Sequence, residues 1–149
     1  MCNMQTLDET VSLFDTVVSY VPLRSEVDFH ALLKRPLTIA YEIAPRASLN
    51  PTIEAKASMA STSGKRTVLF LPGRAFDRHG TRHGQGGGWY DQFLALIPKE
   101  WIRIGFCHES QFSETPLVKN SWDQPVDYVI VVSEKNRTYR VFVTNARAI

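Results

Sequence analysis

The stretch that decides the fold runs from Leu69 to Asp91 and reads LFLPGRAFDRHGTRHGQGGGWYD. With Thr67 and Val68 before it, it begins as a short apolar run of the kind that makes a buried strand. It ends as the start of a helix. Between the two lie arginines and most of the chain's glycine, because six of the eight glycines fall between Gly73 and Gly88. Glycine costs backbone entropy, so this concentration marks a place where the chain needs it. A strand, a basic glycine-rich loop and a helix start together suit a phosphate. Free N–H groups and the positive end of the helix point into one pocket.

Two familiar phosphate motifs are excluded. No Lys-Ser or Lys-Thr follows Gly84 to Gly88, so this is not a Walker A loop. Gly84, Gly86 and Gly87 have the wrong spacing for the dinucleotide fingerprint. The competing reading is a plain surface loop; Arg82 tips the balance, because a guanidinium pairs with phosphate in a fork. Asp77 and Asp91 supply carboxylates at the two ends of the loop, as a Mg²⁺–phosphate site would need. His79 and His83 are four apart, but Gly80 and Gly84 disfavour the helix that a zinc pair would require. Cys107 reads as a small core residue, and His30 and His108 as surface or packing residues.

Outward from the loop, strands alternate with helices. Leu7 to Phe14 has helical spacing, Thr16 to Val21 is a β-branched strand stopped by Pro22, and Glu26 to Lys34 reads as a short helix capped by Ser25. Leu37 to Ile43 is a second strand. Ala44 to Lys65 is small and polar and reads as a long connection, with one helical turn around Ile53 to Met59. After the third strand and the glycine-rich loop, Trp89 to Ile97 is helical and Pro98 ends it. Trp101 to Phe106 is a fourth strand and Cys107 to Pro125 a polar loop. Val126 to Val132 is a fifth strand, Ser133 to Asn136 a hairpin turn, and Arg137 to Thr144 an edge strand.

This alternation implies a three-layer α/β/α domain with a mostly parallel sheet. Ligands of such sheets sit at the C-terminal ends of the strands. The segment Arg24 to Glu26, the loop Gly73 to Asp91 and the acidic ends around the fifth strand are therefore expected to converge. Glu26 reads either as a solvated acid of a first helical turn or as a carboxylate for a ligand's ring N–H groups. Of Asp123 and Asp127, which flank Pro125, Asp127 at the strand is the expected metal ligand and Asp123 a turn residue.

The 149 residues suffice for one domain with a full core. A 44% apolar and 21% charged composition is that of a soluble globular protein. A net charge of +2 argues against a broad nucleic-acid-binding face. There is no membrane-length apolar run and no secretory signal pattern at the N-terminus. Two distant cysteines, Cys2 and Cys107, read as reduced thiols, and the expected compartment is the cytoplasm.

The segment Leu71 to Leu94 resembles the signature of the 5-formyltetrahydrofolate cyclo-ligase (methenyltetrahydrofolate synthetase) family. That signature reads Pro-Gly-x-x-Phe-Asp followed by Arg-Leu-Gly-x-Gly-x-Gly-Tyr-Tyr-Asp. Tyr20 to Asp28 is similar to the family's segment around its folate-contacting glutamate. Ile104 to Phe106 with Gln111, then Trp122 to Asp127, are similar to its C-terminal motifs. The resemblance covers roughly Phe14 to Val132.

The resemblance implies a single domain over 1–149 of the NagB/RpiA/CoA transferase-like fold. It implies an ATP- and Mg²⁺-dependent ligase that converts 5-formyltetrahydrofolate to 5,10-methenyltetrahydrofolate, working as a monomer on folate and ATP without nucleic acid or membrane. It gives Arg82 the catalytic role of stabilising transferred charge. It assigns Arg82, His83, Gly84, Gln85, Gly86, Gly87, Gly88, Trp89 and Tyr90 to ATP. Val21, Glu26, Gln85, Gly86, Gly87, Gly88 and Trp89 would face the folate, and Asp91 and Asp127 would position Mg²⁺. Family members begin with a helix bearing a lysine and an arginine for the ATP phosphates, whereas none of the first 23 residues here is Lys or Arg. His83 stands for the family leucine and Trp89 for the first tyrosine. The alternative implied by these departures is a catalytically impaired folate- or nucleotide-binding paralogue.

Overall fold

The structure, a computed structural model, describes residues 6–44, 50–84, 88–133 and 138–147. In chain order its elements are α1 (Leu7–Val11), β1 (Thr16–Tyr20), β2 (Ile39–Ile43), α2 (Pro51–Ser61), β3 (Thr67–Pro72), β4 (Ala75–Asp77), β5 (Arg82–His83), α3 (Trp89–Leu96), β6 (Ile102–His108), β7 (Phe112–Ser113), β8 (Tyr128–Val132) and β9 (Tyr139–Val143). Single 3-10 turns lie at Phe29–Leu32 and Glu109–Gln111.

The main sheet has the order β2-β1-β3-β6-β8-β9. Its first five strands are parallel, and β9 runs antiparallel to β8 at the edge. The mostly parallel sheet expected from the alternation is therefore present. β3 lies third in the order and is buried along its whole length. Its side chains alternate between two cores. Leu69 and Leu71 face a core shared with Phe93 and Leu94 of α3 and Ala55 of α2. Val68 and Phe70 face one shared with Leu7 of α1 and Phe29. Helical elements thus cover both faces, which is what a strand apolar on both sides demands.

Two elements differ from the sequence reading. The connection after β2 contains an eleven-residue helix rather than one turn. Asn50 caps it by accepting from the N–H groups of Thr52 and Ile53, and Pro51 occupies its first turn, where a missing N–H costs nothing. Tyr41 of β2 donates its hydroxyl to Glu54 at 2.7 Å, docking α2 on the sheet. Conversely, the helix expected over Glu26 to Lys34 is one 3-10 turn, capped by Asp28 and not by Ser25. The hairpin turn read at Ser133 to Asn136 lies largely outside the described residues.

The stretch after β3 is not a plain loop. β4 and β5 pair antiparallel, and β7 joins them in a small second sheet. Phe76 anchors it. Its ring is fully buried and occupies the space that a side chain on Gly105 of β6 would need. No helix among the described residues is long and apolar enough to cross a membrane.

Candidate active site

A cleft of about 430 Å³ opens at the C-terminal ends of β1, β2 and β3. Tyr20 and Val21 line it from the end of β1, and Glu26 from the turn that follows. The β4–β5 hairpin contributes Arg82, His83 and Gly84. The first turn of α3 contributes Trp89, Tyr90 and Asp91, and the segment before β8 contributes Trp122 and Asp123.

Arg82 is the centre of this arrangement. It is buried, and its Nε donates to the carbonyl oxygen of Pro72 at 2.6 Å. The guanidinium carbon lies 4.5 Å from the centre of the Tyr90 ring, a cation–π contact. A Cβ on Gly84 would stand 3.0 Å from one of its terminal nitrogens, so glycine there lets the chain pass close. Burial lowers the Arg82 pKa, while Tyr90, Asp91, Glu26 and Asp123 around it pull the other way. A guanidinium remains charged under such opposition. Burial likewise pushes the Tyr90 hydroxyl up, against the pull of Arg82.

The start of α3 is set by Gly88, whose φ of +67° lies in the left-handed region that glycine enters freely. No side chain caps this end. Trp89 stacks on Phe93 at 5.5 Å and meets Tyr90 edge-on, which fixes the aromatic wall. The Asp91 carboxylate accepts from the N–H of Gln124 at 3.0 Å. Its pKa is raised, first by burial; the Gln124 N–H and Arg82 oppose this, and Asp123 adds to it by its charge and by a hydrogen bond to the protonated form. A neighbouring carboxylate raises a carboxyl group in this way because two like charges repel at close range.

Glu26 turns its carboxylate to the N–H of Leu23 at 2.9 Å and is half-buried at the cleft. Val21 is exposed at its edge. The Nε2 of His83 donates to the carbonyl oxygen of Val118 at 2.7 Å. Gln85, Gly86 and Gly87 lie outside the described residues. Among the described residues no group of three His, Cys, Asp or Glu side chains is placed to hold a metal ion.

The structure corrects three carboxylate expectations. Asp127 is not beside Asp91. It precedes β8, at the opposite edge of the sheet, and its carboxylate is taken by the N–H of Arg103 at 2.8 Å and by Nε and Nη2 of Arg147 at 2.9 and 2.8 Å. Asp123, read as a turn residue, is the acid that joins Asp91 at the cleft. Asp77 is structural as well. It is buried and accepts from the N–H groups of His79, Thr81 and Leu117, closing the β4–β5 turn. Cys107 is fully buried with its thiol pushed up to about 12 by burial, as suits a core residue.

A model of the 5-formyltetrahydrofolate cyclo-ligase family matches residues 28–132, which takes in the hairpin, α3 and the acidic segment. The chain belongs to this family. A cyclo-ligase from Mycoplasma genitalium is 34% identical over 62 residues, covering 42% of this chain and 36% of the relative. One from Haemophilus influenzae is 38% identical over 65 residues, covering 43% of this chain and 34% of the relative. The chain thus matches about a third of the length of these curated relatives. Among solved structures, a 5,10-methenyltetrahydrofolate synthetase from Aquifex aeolicus superimposes with a TM-score of 0.56 at 24% identity, covering 99% of this chain and 80% of that one. One from Mycoplasma pneumoniae gives 0.52 at 19% identity, covering 83% and 79%. At these identities the likeness is one of fold, and it agrees with the α/β architecture described above.

Proposed function

We propose that the protein converts 5-formyltetrahydrofolate to 5,10-methenyltetrahydrofolate with ATP and Mg²⁺. The observation that carries this reading is one cleft whose fixed guanidinium, two adjoining carboxylates and aromatic wall all come from the segment matched by the family.

In the reaction, the formyl oxygen attacks the γ-phosphorus of ATP and the bond to ADP breaks. N10 of the folate then attacks the activated carbon and loses its proton. The carbon–oxygen bond breaks, inorganic phosphate leaves and the ring closes. No protein nucleophile is needed, so catalysis is positioning and charge stabilisation. Arg82, held by Pro72 and Tyr90, would meet the charge on the transferred phosphoryl group. Asp91 and Asp123 would hold Mg²⁺, which when bound neutralises phosphate charge. The two carboxyl groups adjoin at the cleft, and Asp123 opposes ionisation of Asp91, which is the feature of this chain that fits a cation. Gly84 to Tyr90 would line the phosphates. Glu26 and Val21 would meet the pterin, with Gln85 to Trp89 also facing the folate. The protein would work as a monomer in the cytoplasm, on these small molecules alone.

The test mixes purified protein with 5-formyltetrahydrofolate, Mg²⁺ and ATP and follows methenyltetrahydrofolate by its near-ultraviolet absorbance. ATP-dependent product is expected. No product at high protein concentration overturns the reading; folate binding retained in that case would support the impaired paralogue.

A further inference from the structure

Five ionic side chains line the cleft among the described residues: Glu26, Asp91 and Asp123 against Arg74 and Arg82. A nucleotide triphosphate adds about four negative charges, which one divalent cation only half offsets. Arg82 is already engaged with Pro72 and Tyr90. Arg74 is the other cation, and the ligand reading above gives it no task.

Its backbone is fixed and its side chain is not. The N–H of Arg74 donates to the carbonyl oxygen of His83 at 2.7 Å. Because Ala75 pairs with His83 in the β4–β5 register, Arg74 stands across the hairpin from Gly84. The buried ring of Phe76, two residues on, holds this strand to the core. The Arg74 side chain is exposed and makes no hydrogen bond or ion pair among the described residues. A lone exposed arginine is ordinarily just solvated. This one sits on a fixed hairpin, on the wall of the same cleft as Arg82, opposite the first residue of the glycine run.

We infer that Arg74 binds an oxyanion of the bound ligand, as a second guanidinium beside Arg82. The phosphate chain of the nucleotide is the favoured source, because Arg74 faces Gly84; the carboxylates of the folate's glutamate tail carry the same chemistry. The inference rests on the cyclo-ligase reading. Arg74 is a binding residue, so its removal acts on affinity and not on the chemical step.

The test uses the full chain and isothermal titration with two probes, Mg²⁺ with a non-hydrolysable ATP analogue and 5-formyltetrahydrofolate. Arg74→Ala is expected to weaken the ATP analogue about tenfold, as loss of a charge-assisted hydrogen bond does. Folate affinity should stay within about twofold. Arg74→Lys, which keeps the charge and loses the fork, should fall between. The difference should shrink between 50 and 200 mM salt. Weakening confined to the folate probe would support the oxyanion role with the glutamate carboxylates as its source. Wild-type binding with Arg74→Ala unchanged for both probes overturns the inference and leaves the functional reading standing. Wild-type protein that binds neither probe overturns both.

Discussion

The Nε of Arg82 donates to the carbonyl oxygen of Pro72, tying the arginine of the glycine-rich hairpin to the last residue of the buried strand that feeds it. The same guanidinium lies against the ring of Tyr90 in the first turn of α3. Strand, hairpin and helix therefore meet on one side chain. Arg82→Lys keeps a positive charge but cannot both hold Pro72 and present a flat fork. We expect kcat to fall about 100-fold or more, the usual cost of losing a preorganised charge-stabilising donor. A thermal melt run alongside the absorbance assay separates this from unfolding. Unchanged kcat would make Arg82 purely structural.

The two acids flanking Pro125 should separate cleanly on mutation. Asp127→Asn breaks a buried pair with Arg147, whose side chains are 8% and 13% exposed, and should cost about 3 kcal/mol. In a chain of this size that is a melting-temperature loss of roughly 6–12 °C. The Mg²⁺ concentration for half-maximal turnover should not move. Asp123→Asn should do the reverse, raising the Mg²⁺ requirement with little loss of stability. Interchanged outcomes would return Asp127 to the metal role.

Asp91 carries a pH signature whose sign follows from its raised pKa. Above the folded pKa the ionised carboxylate is held at a cost, because burial and Asp123 outweigh the help from Gln124 and Arg82. That cost disappears as the pH falls through the folded pKa toward the ordinary value of 3.8. Asp91→Asn should therefore melt higher than wild type at pH 7 and lose that advantage by about pH 4. Mg²⁺ should stabilise the wild type and leave the variant unmoved. An advantage that grows on acidification would contradict this account.

Gly105→Ala places a methyl group in the space of the Phe76 ring. Overpacking of this kind costs about 1–3 kcal/mol. Phe76→Leu leaves a cavity of its own, but it should make the second change cheap. The pair should therefore be less destabilising than the sum, measured by a denaturant double-mutant cycle. Simple additivity would mean that β6 shifts to accommodate the methyl.

Much of this fold was legible because β3 is apolar on both faces, which only a sheet covered on two sides permits. The glycine run, Arg82, Tyr90 and Asp91 could be read as one site because local chain order holds them together. α2 was hidden by its composition. Serine, threonine and proline read as a loop, although Asn50 followed by Pro51 is a cap followed by a favoured first-turn residue. The Asp127 error was one of direction. In a parallel sheet the ligand edge lies after each strand, and Asp127 comes before β8. The sign of that rule was available; the path by which 120–126 carries Asp123 to the cleft was not.

Arg103 lies buried on β6, with Nη2 on the carbonyl oxygen of Leu94 at 3.1 Å and Nη1 on Gln124 and Pro125 at 3.3 and 3.2 Å. Gln124 in turn meets Asp91. The spacing of the two cleft acids is therefore governed from beneath, by a sheet residue outside the lining of the cleft. Such a corner has no independent melting transition. It should hold its geometry until the whole domain unfolds, while segments without that tether loosen earlier.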